Sequence, residues 1–394
     1  MLILIANLGS TSFKYKLYDM SDGERVVGEG AADRIGDPPS AWTVRVGGDE
    51  ASGGADLADH GEAIDLLLAR QAEAGGVEAG AIEAVGFKAV HGGPISDAVM
   101  VDEQVIATME QFADVAPAHN PPYIAAMRAL ADRLPGARRV AAFETAFHQT
   151  IPMSRLAYAV PYEWIHELGV RRYGFHGASH RYIATRMAQL APEARRIINC
   201  HLGGSSSVCA IRDGRSAATS MGLTPQTGLP QSSRVGDIDV YALLKLQAAG
   251  IDADEALRRM GREAGLAGLS GVGSDFRDIE SAAGEGDARA KLAIEVFVES
   301  LRHYIGAYLA VLGGADAIVF TGGIGENAAA VRSAALKDMD YAGIAVDETA
   351  NAAAVGNAGE RRIDAAGSGT RVWVMPTNEE LIVARQTRDV VMNQ

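Results

Sequence analysis

The chain has 394 residues, a formal charge of −14, 48% hydrophobic and 6% aromatic residues and 2 cysteines, with a pI near 5.1. The length suits two domains of ordinary size. The acidic balance excludes general binding to nucleic acid or membrane surfaces, and the cysteine count excludes a disulfide scaffold.

In chain order, residues 2–8 and 13–18 are expected to form a hairpin. Met1-Leu2-Ile3-Leu4-Ile5-Ala6 lacks a basic leader and reads as a core strand, not a signal peptide. No apolar run reaches the ~18 residues of a membrane span, so a cytoplasmic protein is expected. A short strand is expected at 42–46 inside a segment rich in Gly, Pro and Asp. A helix over 63–74 and a buried strand over 84–90 follow, then a helix over 121–134 entered through Pro121-Pro122 and a strand over 139–143. Loops rich in Tyr, His and Gly are expected up to His180, then a helix over 181–190 and a second hairpin from 197. Helices over 241–249, 254–265 and 287–311 lead to a strand at 317–320, a glycine-rich turn and a further helix. A strand at 371–375 precedes a terminal helix from 378. Strands alternating with helices define an α/β fold.

The two hairpins carry the same unusual tip. The first reads Asn7-Leu8-Gly9-Ser10-Thr11-Ser12, the second His201-Leu202-Gly203-Gly204-Ser205-Ser206-Ser207. Gly and Ser add little bulk, so the backbone N–H and hydroxyl groups of such tips can approach phosphate oxygens. Two copies predict two similar domains facing one cleft that holds a phosphate-bearing ligand. Gly322-Gly323-Ile324-Gly325-Glu326-Asn327 is a third candidate phosphate element, although it matches neither the dinucleotide fingerprint nor the common P-loop. Cationic and imidazole groups, among them Lys14, Lys88, His119, His176, His180, His201 and Arg234, are expected in loops after strands. His176 and His180 fall in a glycine-flanked run, Tyr173-Gly174-Phe175-His176-Gly177-Ala178-Ser179-His180. No cysteine or carboxylate has spacing that would complete a zinc site with them. Glu144 and Glu379 suit Mg²⁺, which takes one or two carboxylates plus water and phosphate oxygens. The other reading of Glu379 is a helix N-terminal carboxylate with Asn378 as cap.

The motifs together resemble the acetate kinase family, short-chain carboxylate kinases of the acetate and sugar kinase/Hsc70/actin superfamily. The resemblance runs nearly end to end, through Asn7-Leu8-Gly9-Ser10-Thr11-Ser12-Phe13-Lys14, Val90-His91-Gly92-Gly93, His119-Asn120-Pro121-Pro122, Arg234-Val235-Gly236-Asp237 and Thr321 to Asn327. It implies two duplicated ribonuclease-H-like (actin-like ATPase) domains around a central cleft. Residues 1–150, completed by a helix at 381–394, would form one, and residues 151–380 the other, which binds nucleotide. It implies ATP or ADP as co-substrate, Mg²⁺, a small carboxylate (acetate or propionate) as acceptor, a homodimer, and no nucleic-acid or membrane partner.

By position, the resemblance implies that Ser10, Ser12 and Lys14 lie near the phosphates, with Asn7 and Glu379 placing the metal. Arg234 and His176 would stabilise the transferring phosphoryl group, His119 would support them, and Glu144 would orient the metal through water. His201, Gly203 and Gly204 of the second tip, Asp275, Phe276 and Arg277, and Gly323, Ile324, Gly325 and Asn327 would hold the nucleotide. Val90, Phe175 and Pro225 would wall the acyl pocket, with Lys88 and Ala118 setting acceptor choice. Lys88 stands where the family usually has arginine, Glu144 where it has aspartate, Gly204-Ser205 where it has Asn-Gly, and Ala118 where it has leucine. These departures leave open a variant kinase of a larger or more polar acid. A non-catalytic nucleotide sensor on the same fold is the reading from another class.

Overall fold

Apolar residues in the first strands seed a hairpin of β1 (Leu2–Gly9) and β2 (Ser12–Asp19), in which Asn7 pairs with Lys14 and Ile5 with Lys16. The structure, a computed structural model, describes residues 1–394 except Ser10, Asp22, Ala118, Asn357 and Gln394. The expectations for Ser10 and Ala118 therefore lie outside the described residues.

The chain divides into one unit of Met1–Gln149 with Asn378–Gln394 and another of Thr150–Thr377. Among the described residues, the sheet of the first unit adds β3 (Arg25–Asp33), β4 (Ser40–Val46), β5 (Asp49–Ala55), β6 (Ala84–Ala89), β7 (Val99–Met100) and β8 (Arg138–Phe143). Its order is β5-β4-β3-β2-β1-β6-β8-β7. The second unit's sheet contains β9 (Arg196–His201), β10 (Ser207–Arg212), β11 (Arg215–Thr219), β12 (Ala317–Thr321), β13 (Arg361–Arg362) and β14 (Arg371–Val374). Its order is β11-β10-β9-β12-β14-β13.

The same five-strand pattern lies inside both sheets. β3-β2-β1 and β11-β10-β9 are antiparallel. β1-β6-β8 and β9-β12-β14 are parallel. Third-second-first-fourth-fifth, built twice, is the duplicated ribonuclease-H-like arrangement. Each unit has its own core, around Leu4, Phe13, Phe87 and Tyr123 in the first and Ile198, Phe297, Ile318 and Phe320 in the second.

Four differences from the expected elements have local causes. β3 was not anticipated because Gly28 and Gly30 interrupt its pattern. Gly30 is the cross-strand partner of Tyr15, and a Cβ there would collide with the Tyr15 ring. The segment 37–54 holds not one short strand but most of the hairpin β4–β5. Glu103–Gln111, also unanticipated, is a helix capped by Asp102, whose side chain accepts from Val105 N. The helix expected at 181 begins at Gly177, so His180 stands in its first turn and not in a loop.

Candidate active site

In the second unit, β12 runs directly into the helix Gly322–Asn327. The glycine-rich run is thus itself helical. Gly322 has φ +80, and a Cβ on it would lie 2.7 Å from Leu202 O, so glycine is needed for this close approach. The run is stitched to the second hairpin tip. Leu202 N donates to Thr321 O (2.8 Å), and Leu202 O accepts from Ile324 N (2.9 Å) and Gly325 N (3.1 Å).

Beside this junction is a cavity of about 670 Å³, within the range of small-molecule sites. Gly203, Gly204, Gly323, Ile324 and Asn327 line one part of it, and Asp275, Phe276 and Arg277 another. Asp275 caps the helix Phe276–Gly284 by accepting from Arg277 N (2.9 Å) and also pairs with the Arg277 guanidinium (2.5 Å). Hydrogen bonds from Arg277 hold its carboxyl down at about 2. The Gly325 N–H is committed to Leu202, and His201 stacks on His176 with ring centroids 4.2 Å apart.

His176 is the N-cap of the helix Gly177–Leu190, in the left-handed region at φ 57, ψ 32. A non-glycine residue held there carries backbone strain of the kind that collects at functional sites. Its Nδ1 is 2.8 Å from Ser207 Oγ. The Arg234 guanidinium donates through Nη1 to Gln231 Oε1 (3.1 Å) and Ser205 Oγ (3.3 Å). Gln231 is itself fixed, donating from Nε2 to Pro225 O (2.6 Å) and accepting from Ser205 Oγ (2.8 Å). No described carboxylate lies within ion-pair distance of Arg234, whose pKa is lowered by burial. Phe175 and Pro225 are buried.

His201 ends β9 of the second unit and is not in a loop. In the first unit, Lys14 lies within β2 and Lys88 within β6, also not in loops. Asn7 and Lys14 line a cavity of about 280 Å³ on the sheet. Lys14 Nζ is 3.9 Å from Asp33, and Ser12 opens β2. Tyr123 accepts from Leu8 N (3.1 Å) and donates to Asn7 Oδ1 (3.3 Å). Burial raises the Tyr123 phenol to about 12 although nearby Lys88 lowers it, so it stays protonated and can donate to Asn7.

Lys88 forms an ion pair with Glu379, and its Nζ is 3.9 Å from Glu144. Burial opposes the charge on Lys88, but the two carboxylates outweigh it and raise its pKa above the ordinary lysine value. Glu379 is the first residue of the C-terminal helix Glu379–Met392. Asn378 caps that helix by accepting from Leu381 N, so Glu379 is a carboxylate of its first turn. His119 holds the N-cap position of the helix Asn120–Arg133, and Val90 packs against the core.

Ser205, Gln231, Ser207 and Tyr123 were not singled out from the sequence as individual residues. Two of them belong to the serine run of the second tip, the one local signal available. Gln231 and Tyr123 have none.

A five-strand pattern built twice, a glycine-lined cavity of nucleotide size and an arginine held by neutral oxygens define a phosphotransferase on a duplicated α/β fold. The model of the acetokinase family matches residues 2–385, and the chain belongs to that family. It is 41% identical to the acetate kinase of Halothermothrix orenii, over 99% of this chain and 100% of that one. It is 43% identical to the acetate kinase of Heliobacterium modesticaldum, over 98% of each. Among solved structures, Porphyromonas gingivalis acetate kinase superposes with a TM-score of 0.91 at 36% identity, and a Francisella tularensis propionate kinase with 0.92 at 32%, each over 99% of both chains.

Proposed function

We propose that this protein transfers the γ-phosphoryl group of ATP to the carboxylate of acetate or propionate, giving an acyl phosphate and ADP, and that the reaction is reversible. The observation that carries the reading is Arg234. It is a partly buried cation held by neutral acceptors, two positions from Ser232, which lines the nucleotide cavity. A buried charge is normally matched by a partner, and phosphoryl oxygens match the planar guanidinium fork.

The acceptor needs no general base, because a carboxylate with a pKa of about 4–5 is already ionised near neutral pH. The difficulty is bringing two anions together in line, so positioning and charge stabilisation carry the catalysis. Arg234 gathers the equatorial oxygens, His176 donates to one of them, and His119 supports that region. The glycines at 203, 204 and 323 leave room for the nucleotide phosphates, with Phe276 and Asp275 holding the rest of it and Ser12 and Lys14 near the phosphates. Val90, Phe175 and Pro225 bound the acyl group.

Glu144 and Glu379 fit a role beside Mg²⁺. Both are carboxylates largely buried beside Lys88, with side chains 6% and 15% exposed. Glu379 and Asn7 would hold the ion, with Glu144 acting through water; when bound, Mg²⁺ neutralises phosphate charge. Lys88 keeps Glu379 in place. The protein works as a cytoplasmic homodimer; no described helix is long and apolar enough to cross a membrane.

The test is hydroxylamine trapping with ATP, Mg²⁺ and either acid. Acyl hydroxamate should form with acetate or propionate in step with ADP. Its absence with both acids, in folded protein, overturns the reading.

A further inference from the structure

His176 stands at one end of a hydrogen-bonded chain that the catalytic reading does not use. Ser207 Oγ lies 2.8 Å from His176 Nδ1 and 2.9 Å from His180 Nε2. On its far side, His180 Nδ1 is 2.8 Å from Asn199 Nδ2. Asn199, His180 and Ser207 are fully buried. They come from β9, the first turn of the helix Gly177–Leu190 and β10, so three elements fix the line.

The line has a direction. Asn199 turns Nδ2 to His180 and leaves its buried Oδ1 without a partner among the described residues; in this orientation the amide has hydrogens to give and no lone pair to offer, so His180 Nδ1 accepts and neutral His180 carries its proton on Nε2. That N–H donates to Ser207 Oγ. The single hydroxyl hydrogen of Ser207 is then given to His176 Nδ1, and the proton of neutral His176 sits on Nε2. We infer that Asn199, His180 and Ser207 are positioning residues that hold His176 in its Nε2–H tautomer, so that the ring presents a donor to the transferring phosphoryl oxygen.

With the direction reversed, His176 would carry its proton on Nδ1 and turn a lone pair on Nε2 toward anionic oxygen. Which nitrogen of a histidine carries the proton is set by the bond the other one makes, and the amide of Asn199 sets the sense of the whole chain. The two bonds of His180 are buried and the Ser207–His176 bond is partly so, which limits averaging of the preference by exchange with solvent partners. The inference rests on the role given to His176 above, and its test separates the two.

Imidazole ¹⁵N–¹H correlation spectra of the protein without nucleotide read the tautomer directly, with His176 assigned by the signal lost in His176→Gln. The wild type should show the Nε2–H form. Ser207→Ala should convert it to a mixture and lower kcat about 10–100-fold, the range for residues that orient an active-site group, with KM for ATP within about twofold. Ser207→Thr retains the hydroxyl and should restore both readings. If Ser207→Ala does not fold, His180→Gln should keep the tautomer, since its amide nitrogen still donates to Ser207, and His180→Phe should lose it. A wild-type His176 protonated on Nδ1, or a tautomer unmoved by Ser207→Ala, overturns the relay. A tautomer that shifts while kcat stays unchanged upholds the relay and overturns the role of His176 in transfer.

Discussion

Lys88 of β6 and Glu379 of the C-terminal helix are separated by 291 positions in the chain and form an ion pair. The pair ties the last helix to the first unit's sheet. Helix and sheet are also joined by Arg138 Nη1 donating to Val391 O (3.2 Å). A second ion pair, Glu24 with Arg385, reaches the helix at 2.6 Å. Removing one partner of a buried pair costs about 3–5 kcal/mol because the other charge is left unmatched. Lys88→Ala takes a buried cation away from both Glu379 and Glu144, so it should cost at least the lower end of that range in urea unfolding. Lys88→Arg keeps the charge and should recover most of it. A Lys88→Ala protein as stable as the wild type would show that the pair does not hold the helix.

Arg234→Ala should lower kcat on the order of 10³-fold, the effect of removing an arginine that stabilises transferring phosphoryl charge, and raise KM for ATP far less. An interaction made chiefly in the transition state has this signature. Arg234→Lys should recover little, because an ammonium cannot reproduce the fork that Ser205 and Gln231 orient. Steady-state kinetics decide it, and near-normal kcat in the alanine variant would remove Arg234 from the reaction.

Ser205 and Gln231 also mark where reading from sequence stopped. Arg234 was legible because it sits in a recognisable run, Arg234-Val235-Gly236-Asp237. Ser205 was not, because it is 29 positions away and only the return of the chain brings the two together; Gln231 is close in sequence but carries no local signal. The hairpin tips were legible because Leu-Gly followed by small residues between apolar strands leaves few alternatives. β3 was not, because the reason for Gly30 is the Tyr15 ring on the neighbouring strand. The loop expected up to His180 failed for a related reason. Gly177-Ala178-Ser179 has loop composition, yet all three residues are buried, and packing overrides weak local preference. Lys88 and Glu379 were each noticed, but charge alone does not say which residue a side chain will meet.

Asp316 just ahead of β12 offers a pH test. Its carboxylate accepts from the Arg196 side chain (2.6 and 3.1 Å) and from the backbone of Arg195 and Arg196 (2.9 and 2.8 Å). The Arg196 side chain, then its backbone N–H and that of Arg195, lower its pKa against the opposing effect of burial. A depressed carboxylate stabilises the fold above its unfolded value, about 3.9 for aspartate, and that stabilisation is lost as pH falls through the folded value. Asp316→Asn should therefore be less stable than the wild type near neutral pH, by on the order of 1 kcal/mol given partial exposure and solvent screening. The gap should close as pH falls through the lowered folded value. Thermal unfolding of both proteins across that window measures it, and a gap independent of pH would assign the effect to shape instead of charge.

Nucleotide should stabilise the second unit first. The cavity bounded by Gly203, Asp275, Phe276 and Gly323 is built wholly from that unit, whereas the residues proposed to hold Mg²⁺, Asn7 and Glu379, belong to the first. A ligand that binds only folded protein stabilises it by about 2.7 kcal/mol at 100 times its Kd. ADP with EDTA should thus raise the midpoint of the second unit's unfolding, followed by hydrogen exchange at β9 and β12. Adding Mg²⁺ should extend the protection to β1 and the start of the C-terminal helix. Phe276→Ala should weaken both effects, since it removes one wall of the cavity. Glu379→Gln should leave the EDTA response intact and blunt only the Mg²⁺ increment. If ADP at about 1 mM, the upper end of ordinary substrate affinities, protects neither unit, the cavity is not the nucleotide site. If Glu379→Gln leaves the increment untouched, the metal is held by other residues.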